Sequence, residues 1–462
     1  MKNFCKIITA ATVLGVLIFS GLSAPSINVS AAPQYAAALT FRSIGEQDGW
    51  VKESDEFSQK GGYKNAASSF LLVGDDDQDR QICTILSFDT SLIPDNGVVR
   101  SAVLELHRAG NLGSDPAGSL GKLSVAVKSA PFGGDPGLQL KDFQAKANTR
   151  KGGVYIRVPG TNRFTASLKT SRLYLISNAG VTQLRVCFTG GDNDNQSMDA
   201  YRFYSGDEDG LDRQPSLTVQ YFIPEKDPAV WYPAVNTSWQ IQLAGILDTG
   251  VDVQVYDVDL FDTPRAKIDQ LHADGRKVIC YFSAGSWEDW RPDAGDFPDS
   301  VIGKSLDGWP GENWLDIRKI KILGPIMSAR LDLAVQKTCD GVDPDNVDGF
   351  RNGSGFKLNF QNQFAYNLWL AEQAHARKLS IGLKNDLSQI KALVPYFDWS
   401  LNEQCFEYLE CGKLLPFVQS GKPVFGIEYQ GAPSSFCPQA NLMDFNVLKK
   451  RLNLKAWRIP CR

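Results

Sequence analysis

Carboxylates in the second half of this chain gather in short stretches. In "CDGVDPDNVDGF" (339–350), Asp340, Asp343, Asp345 and Asp348 fall within twelve residues. Read as an EF-hand loop starting at Asp343, the stretch would need an oxygen ligand at its fifth position and glycine at its sixth. Val347 and Asp348 stand there instead, so a calcium loop fails on spacing. Comparable polar groups close other apolar runs: Asp257, Asp259 and Asp262; Tyr281, Ser283 and Ser286; Lys384, Asn385 and Asp386; Asn402, Glu403 and Gln404; Glu428 and Tyr429. Opposed carboxylates suit glycoside hydrolysis, in which one acid keeps a proton for the leaving group while the other stays ionised. Other hydrolytic schemes fit worse. The chain has 3 histidines, too few for a zinc-dependent deacetylase site. His272 and His375 fall on helical segments just before strands, and His107 lies in the first half, so no histidine reaches a strand-end serine as in a Ser-His triad.

These acids need elements to hold them. Strand-like runs occur at 239–245, 253–261, 277–285, 340–348, 379–386, 397–405, 423–429 and 455–460. Helical candidates alternate with them: "TPRAKIDQLHADG", "WLDIRKIKILGPIMSARLDLAVQKT", "NFQNQFAYNLWLAEQAHARK", "LSQIKALVPY" and "NLMDFNVLKKRLN". Eight such units predict a (β/α)8 TIM barrel over 238–462, with a doubly wound sheet as the alternative. Strands of parallel sheets normally read as continuous apolar runs. Here nearly every run turns polar at its C-terminal end, where a barrel builds its site.

Residues 37–222 follow another pattern, with short alternating segments such as "ICTILSF", "SAVLELHRA" and "SLTVQYF" between Gly/Asp/Asn-rich turns. This predicts an all-β sandwich. Its acidic turns are candidates for a structural calcium. Cys83 and Cys187, alone in this half of the mature chain, are expected to pair. A Pro-rich passage, 223–237, reads as a linker between the two domains. At the start, Lys2 and Lys6 precede an apolar run from Ile7 to Leu22 and then small residues, so 1–32 reads as a secretory signal peptide. The run is at the short end for a membrane anchor, the alternative. The chain is therefore expected to be secreted and extracellular, without a membrane association after signal removal, and an even number of mature cysteines then favours disulfides. At 462 residues, with 43% hydrophobic content and net charge −4, the chain can build more than one core and offers no basic surface for a nucleic acid. A monomer is expected.

"VQVYDVDLFD", "VICYFSAGSWEDWRPD", "WPGENWLDIR", "CDGVDPDNVDGF", "GLKND" and "NEQCFEYLEC", in this order, resemble glycoside hydrolase family 114, the endo-α-1,4-polygalactosaminidases, over Trp231 to Arg462. The first half resembles the carbohydrate-binding-module-like accessory domains of secreted bacterial proteins. The family resemblance implies a barrel that cleaves α-1,4-linked galactosamine or N-acetylgalactosamine polymers internally with retention and needs no cofactor for catalysis; the alternatives are a non-catalytic polysaccharide-binding or matrix protein, or a glycosidase for another α-galactoside. It implies that Asp345 of "PDN" is the nucleophile and Glu403 of "NEQ" the general acid/base. Asp257, Asp259, Tyr281, Asp348, Lys384, Asn385, Asn402 and Glu428 are then expected to line the sugar subsites. Trp239, Trp287, Trp309, Trp314 and Tyr429 are candidates for stacking on sugar faces. Independently of the resemblance, a cleft with surplus carboxylates suits a cationic amino-sugar polymer, whose encounter rate it raises. On the same frame Cys405 is expected to pair with Cys411 and Cys437 with Cys461, whereas Cys280 and Cys339 either pair or remain buried thiols.

Overall fold

In the computed structural model, which describes residues 37–94 and 96–462, one long strand, Val98–Gly113, organises the first half. Ala102, Leu104 and Leu106 on it are buried and their neighbours less so, as expected of a strand with one covered face. Its first part pairs antiparallel with Ser216–Phe222 and Arg163–Ser167, and its second part with Asp199–Tyr204. Through it the 13 strands of this β-rich region join in one hydrogen-bonded network. The limbs it connects enclose a core that includes Leu71, Phe88, Leu104, Phe203 and Leu217. Strand Gln81–Asp89 is buried from Ile82 to Phe88, because Leu86 and Phe88 enter that core while Ile85 enters a second one with Val51, Phe132 and Leu138. Cys83 on this strand is bonded to Cys187.

The expected signal peptide, 1–32, lies outside the described residues. Among the described residues, no helix is long and apolar enough to cross a membrane.

The second half holds eight parallel strands, hydrogen-bonded in chain order. They are β1 (Trp239–Gln242), β2 (Val255–Asp259), β3 (Lys277–Ser283), β4 (Gly341–Asp345), β5 (Ser380–Lys384), β6 (Trp399–Glu403), β7 (Val424–Glu428) and β8 (Asn446–Lys449). Helices α1 (Arg265–Ala273), α2 (Ile320–Gln336), α3 (Phe360–Ala376), α4 (Ile390–Leu393), α5 (Leu415–Gln419) and α6 (Pro433–Leu442) lie between strands. Period-two alternation sorts the strand residues into two cores. Tyr256, Val258, Cys280, Val342 and Ile381 pack toward the helices. Trp239, Ile241, Val255, Ile279, Trp399, Leu401, Phe425, Ile427 and Leu448 form a separate cluster. Because that cluster draws on both the first and the eighth strand, the sheet must curl. Side chains join its edges: the Trp239 indole donates to Asn446 O at 2.8 Å, and Lys450 Nζ donates to Ile241 O at 2.7 Å. Gly382 makes room inside, since a Cβ there would stand 2.2 Å from the Trp399 ring.

The eighth strand differs from the sequence expectation. It is Asn446–Lys449, within a stretch read as helical, whereas Ile459–Pro460 of the expected strand only pairs antiparallel with it. The helix of this unit comes earlier, opening on Pro433, a residue suited to a first helical turn. Leu448 then joins the inner cluster, while Val447 packs toward the helices. A three-stranded antiparallel insert, Ser286–Glu288, Ile302–Ser305 and Glu312–Leu315, sits between β3 and α2. All four cysteine pairs are bonded, including Cys280 on β3 with Cys339 just before β4.

Candidate active site

Inward-facing positions of β2, β4, β5 and β6 change from apolar to charged toward their C-terminal ends. Asp345 ends β4 and Glu403 ends β6, each partly open to solvent, at 17% and 22% side-chain exposure. Between them stands Lys384, the last residue of β5, with its side chain 2% exposed. Its Nζ lies 3.4 Å from Asp345 Oδ2, 3.7 Å from Glu403 Oε2 and 3.6 Å from Asp343 Oδ2. One ammonium nitrogen so placed holds the Asp345 and Glu403 oxygens within roughly 7 Å of each other, a span that admits the ~5–5.5 Å of retaining glycosidases. Burial alone would lower the Lys384 pKa, but the carboxylates of Asp343, Asp345 and Glu403 outweigh it and hold the ammonium well above its usual range.

Each outer carboxylate is also fixed by neutral donors. Asp345 accepts the Tyr281 hydroxyl at 3.0 Å and the Asn346 backbone N–H at 2.7 Å. Asn346 adopts a left-handed backbone, φ 60°, which turns the chain sharply after the strand. Gly285 of the neighbouring loop must lack a side chain, because a Cβ would meet Asn346 O at 1.7 Å. Glu403 accepts the Tyr429 hydroxyl at 2.5 Å on Oε1 and the Asn385 amide at 3.2 Å on Oε2. The same Asn385 takes the Glu403 backbone N–H and the Asn402 amide on its Oδ1, at 3.0 and 3.2 Å. Asn385 therefore orients Glu403 through both its backbone and its carboxylate.

Beneath this pair lies a second acidic level. Asp257 and Asp343 are 0% exposed, and none of their four carboxyl oxygens has a hydrogen-bond partner. Burial raises both pKa values; Asp343 adds to that of Asp257, whereas Lys384 partly offsets the rise at Asp343. At the rim, half-buried Asp348 accepts the Asn352 amide at 3.0 Å, and burial together with Asp345 pushes its pKa up to about 6.

Tyr281, Asp348, Lys384, Asn385 and Asn402 are thus gathered around Asp345 and Glu403. Other expected sugar contacts are placed differently. Asp257 lies below the pair, sealed from solvent. Asp259 is clamped by Arg291 at 3.0 and 2.8 Å and caps the N–H groups of Phe261 and Asp262, so its lone pairs serve the loop after β2. Glu428 is 2% exposed and accepts the Phe406 N–H at 2.9 Å, anchoring the loop closed by Cys405–Cys411. Trp239 is 2% exposed and packs on Phe425 at 4.9 Å, so its ring is core and offers no face to a sugar. Trp314 is also buried, and the Trp287 indole donates to Ala294 O. Trp309 keeps an open ring, and Trp290, which the sequence reading did not single out, is equally exposed.

The insert supplies an unforeseen network. Ser286 Oγ donates to Glu312 Oε2 at 2.9 Å, and the Asn346 amide donates to Ser283 Oγ and Ser286 Oγ at 3.0 and 2.9 Å. Burial pushes Glu312 up to about 7. The sequence signal was "SWEDW" and "GENW", whose acids belong to no strand of the parallel sheet.

The sequence model of glycoside-hydrolase family GH114 matches residues 223–462. Among solved structures, Aspergillus fumigatus Ega3 in complex with galactosamine is 45% identical, covering 52% of this chain and 100% of that one, with a TM-score of 0.49. The glycoside hydrolase domain of PelA from Pseudomonas aeruginosa is 12% identical, covering 48% of this chain and 97% of that one, with a TM-score of 0.40. No curated protein matches the chain.

Proposed function

The chain belongs to glycoside-hydrolase family GH114, and we propose that this glycoside hydrolase is a secreted, endo-acting, retaining enzyme for α-1,4-linked galactosamine or N-acetylgalactosamine polymers. The observation that carries the reading is the pair Asp345 and Glu403 facing one buried ammonium, Lys384, within reach of a single glycosidic bond. Asp345 attacks the anomeric carbon as Glu403 gives its proton to the departing glycosidic oxygen, leaving a glycosyl ester on Asp345. Glu403 then takes a proton from water, whose oxygen displaces the ester and restores the starting configuration. Tyr281 and Tyr429 hold the two carboxylates in place through their hydroxyls. Lys384 favours the ionised nucleophile, and its charge helps Asp345 leave in the second step.

An amino sugar is supported by 45% identity to a protein crystallised with galactosamine. The acids Asp343, Asp345 and Glu403 around one lysine, with Asp348 beside Asp345, also suit a substrate that carries ammonium groups. In the same reading the parallel sheet is a closed (β/α)8 barrel, residues 238–462. The β-rich region, 37–222, is a sandwich that attaches the enzyme to polysaccharide, joined to the barrel by 223–237. Residues 1–32 direct export, and four disulfides suit an oxidising destination. The enzyme acts as a monomer.

Incubation with partly deacetylated α-1,4-galactosaminogalactan, followed by mass spectrometry, should release oligosaccharides whose new reducing ends form in the α configuration. Asp345→Asn and Glu403→Gln should abolish that release. Undiminished release by both variants, or none by the intact protein, would overturn the proposal.

A further inference from the structure

The β-rich region holds a buried carboxylate that the catalytic reading does not use. Asp75 ends strand Phe70–Asp75 and stands opposite Asp199 in the ladder with Asp199–Tyr204. It is 0% exposed, yet no side chain donates to either carboxyl oxygen, and the Asn193 backbone N–H beside it only partly offsets its burial. Nearby cations are already committed, since Lys52 Nζ and Arg80 Nη2 lie 2.7 and 2.6 Å from Asp76 Oδ2. The surrounding acids compound the problem. Burial, together with the charges of Asp199, Asp79 and Asp192, pushes Asp75 up to about 7.

The neighbouring loop is arranged around the same point. The Asn193 and Asn195 amides each donate to Asp199 Oδ2 at 2.8 Å, and the Ser114 N–H donates to Asp199 Oδ1 at 3.1 Å. Asp199 is thereby satisfied, while Asn193, its amide nitrogen spent there, is left with a buried Oδ1 that has no partner. Asp79 receives the Gln196 N–H at 3.0 and 3.2 Å, which ties the loop after Asp75 to the loop before Asp199. Two separate under-satisfied groups, a carboxylate and an amide oxygen, thus occur where two acidic loops meet, and both are acceptors. Such a pair calls for a donor or a cation.

We propose that Asp75 and Asn193 Oδ1 form the centre of a hard-cation site, calcium by its donor chemistry, that pins the 75–80 and 190–199 loops together. The donors in view are oxygen, which excludes a soft or nitrogen-seeking metal. Among the described residues no three His, Cys, Asp or Glu side chains form a ready metal group. Calcium fits such a sparse set because it completes a sphere of six to eight ligands with amide, main-chain and water oxygens. The role is structural and independent of the proposed hydrolysis.

The test uses the full chain and calcium alone, stripped with EDTA and titrated by calorimetry, with thermal unfolding followed in parallel. Wild-type protein should bind one calcium with a dissociation constant between about 10⁻⁵ and 10⁻³ M, and its melting temperature should rise with calcium concentration. Asp75→Asn should weaken binding at least tenfold and lose the calcium-dependent rise. Asn193→Ala, which also removes a donor to buried Asp199 and so should lower the melting temperature somewhat in EDTA, should weaken binding several-fold and shrink the further rise that calcium produces. Absence of binding by the wild type at 10 mM calcium would overturn the site and leave Asp75 as a protonated buried acid. Calcium responses unchanged in both variants would overturn it equally.

Discussion

Replacing Lys384 by methionine tests the electrostatics of the proposed site most directly. The substitution keeps most of the side-chain volume and removes the one charge that faces Asp345 at 3.4 Å and Glu403 at 3.7 Å. At an effective dielectric of about 20, each of those contacts corresponds to about 4–5 kcal/mol of attraction. Asp343 lies 3.6 Å from the same nitrogen, and protonation of this already raised carboxyl offsets part of the loss. Taking about 3–4 kcal/mol as the net destabilisation of ionised Asp345, and about 1.36 kcal/mol per pH unit, the acidic limb of kcat/KM should move upward by about 2–3 pH units. The sign follows because losing a cation favours the protonated acid, so more alkaline solution is needed to ionise the nucleophile. Below the shifted limb kcat/KM should fall by up to about 100-fold, the loss shrinking to a few-fold as pH rises past it, with Lys384→Arg recovering part of it. The assay is initial-rate hydrolysis of a soluble galactosamine oligomer from pH 4 to 9, with thermal unfolding at pH 5 as a control for folding. An acidic limb within 0.5 pH units of wild type and kcat/KM within about threefold, in a folded variant, would refute the reasoning.

Asp48 is fully buried, accepts the Ser87 N–H at 2.9 Å, and is pushed by burial up to about 8. Its folded pKa exceeds the unfolded value near 3.9, so its contribution to stability is complete below about pH 4 and is lost as pH rises toward 8, at up to about 1.4 kcal/mol per pH unit. Asp48→Asn should leave unfolding below pH 4 nearly unchanged and raise the melting temperature at pH 8, by differential scanning calorimetry. Gly382→Ala would force a Cβ to 2.2 Å from the Trp399 ring, and should cost about 2–3 kcal/mol in urea unfolding. Cys83 and Cys187 are 104 residues apart, so replacing both with alanine should lower stability by about 4–5 kcal/mol, and limited proteolysis should then cut the β-rich region before the parallel sheet.

Much of this organisation is local and therefore legible along the chain. Polar closure of apolar runs marks the strand ends, and Asp345 and Glu403 stand where those runs stop. The Cys83–Cys187 bond joins neighbouring strands, Cys405–Cys411 closes a short loop and Cys437 on α6 reaches Cys461 near the C-terminus, as expected; Cys280 and Cys339, which the sequence left either paired or free, are bonded. The eighth strand was misread because "NLMDFNVLKK" carries buried residues whose spacing suits a helix or a strand alike; the sheet edge left by β1 and β7 decides between them. The insert strands, each of 3 or 4 residues, are too short to show a period.

Sequence by itself determined which acids share the inward parity of their strands: Asp257 with Asp259, and Asp343 with Asp345. It could not determine their depth. Depth follows from the stagger between strands, which sets Ser283 beside Asp345, Tyr281 beside Asp343 and Lys384 beside Leu401. That register buries Asp257 and Asp343 beneath the pair, gives Asp259 to Arg291, and places one lysine between two carboxylates from strands that are not neighbours. Parity is a property of the backbone period and is written in every strand, whereas register is fixed only when all eight strands pack around a common interior.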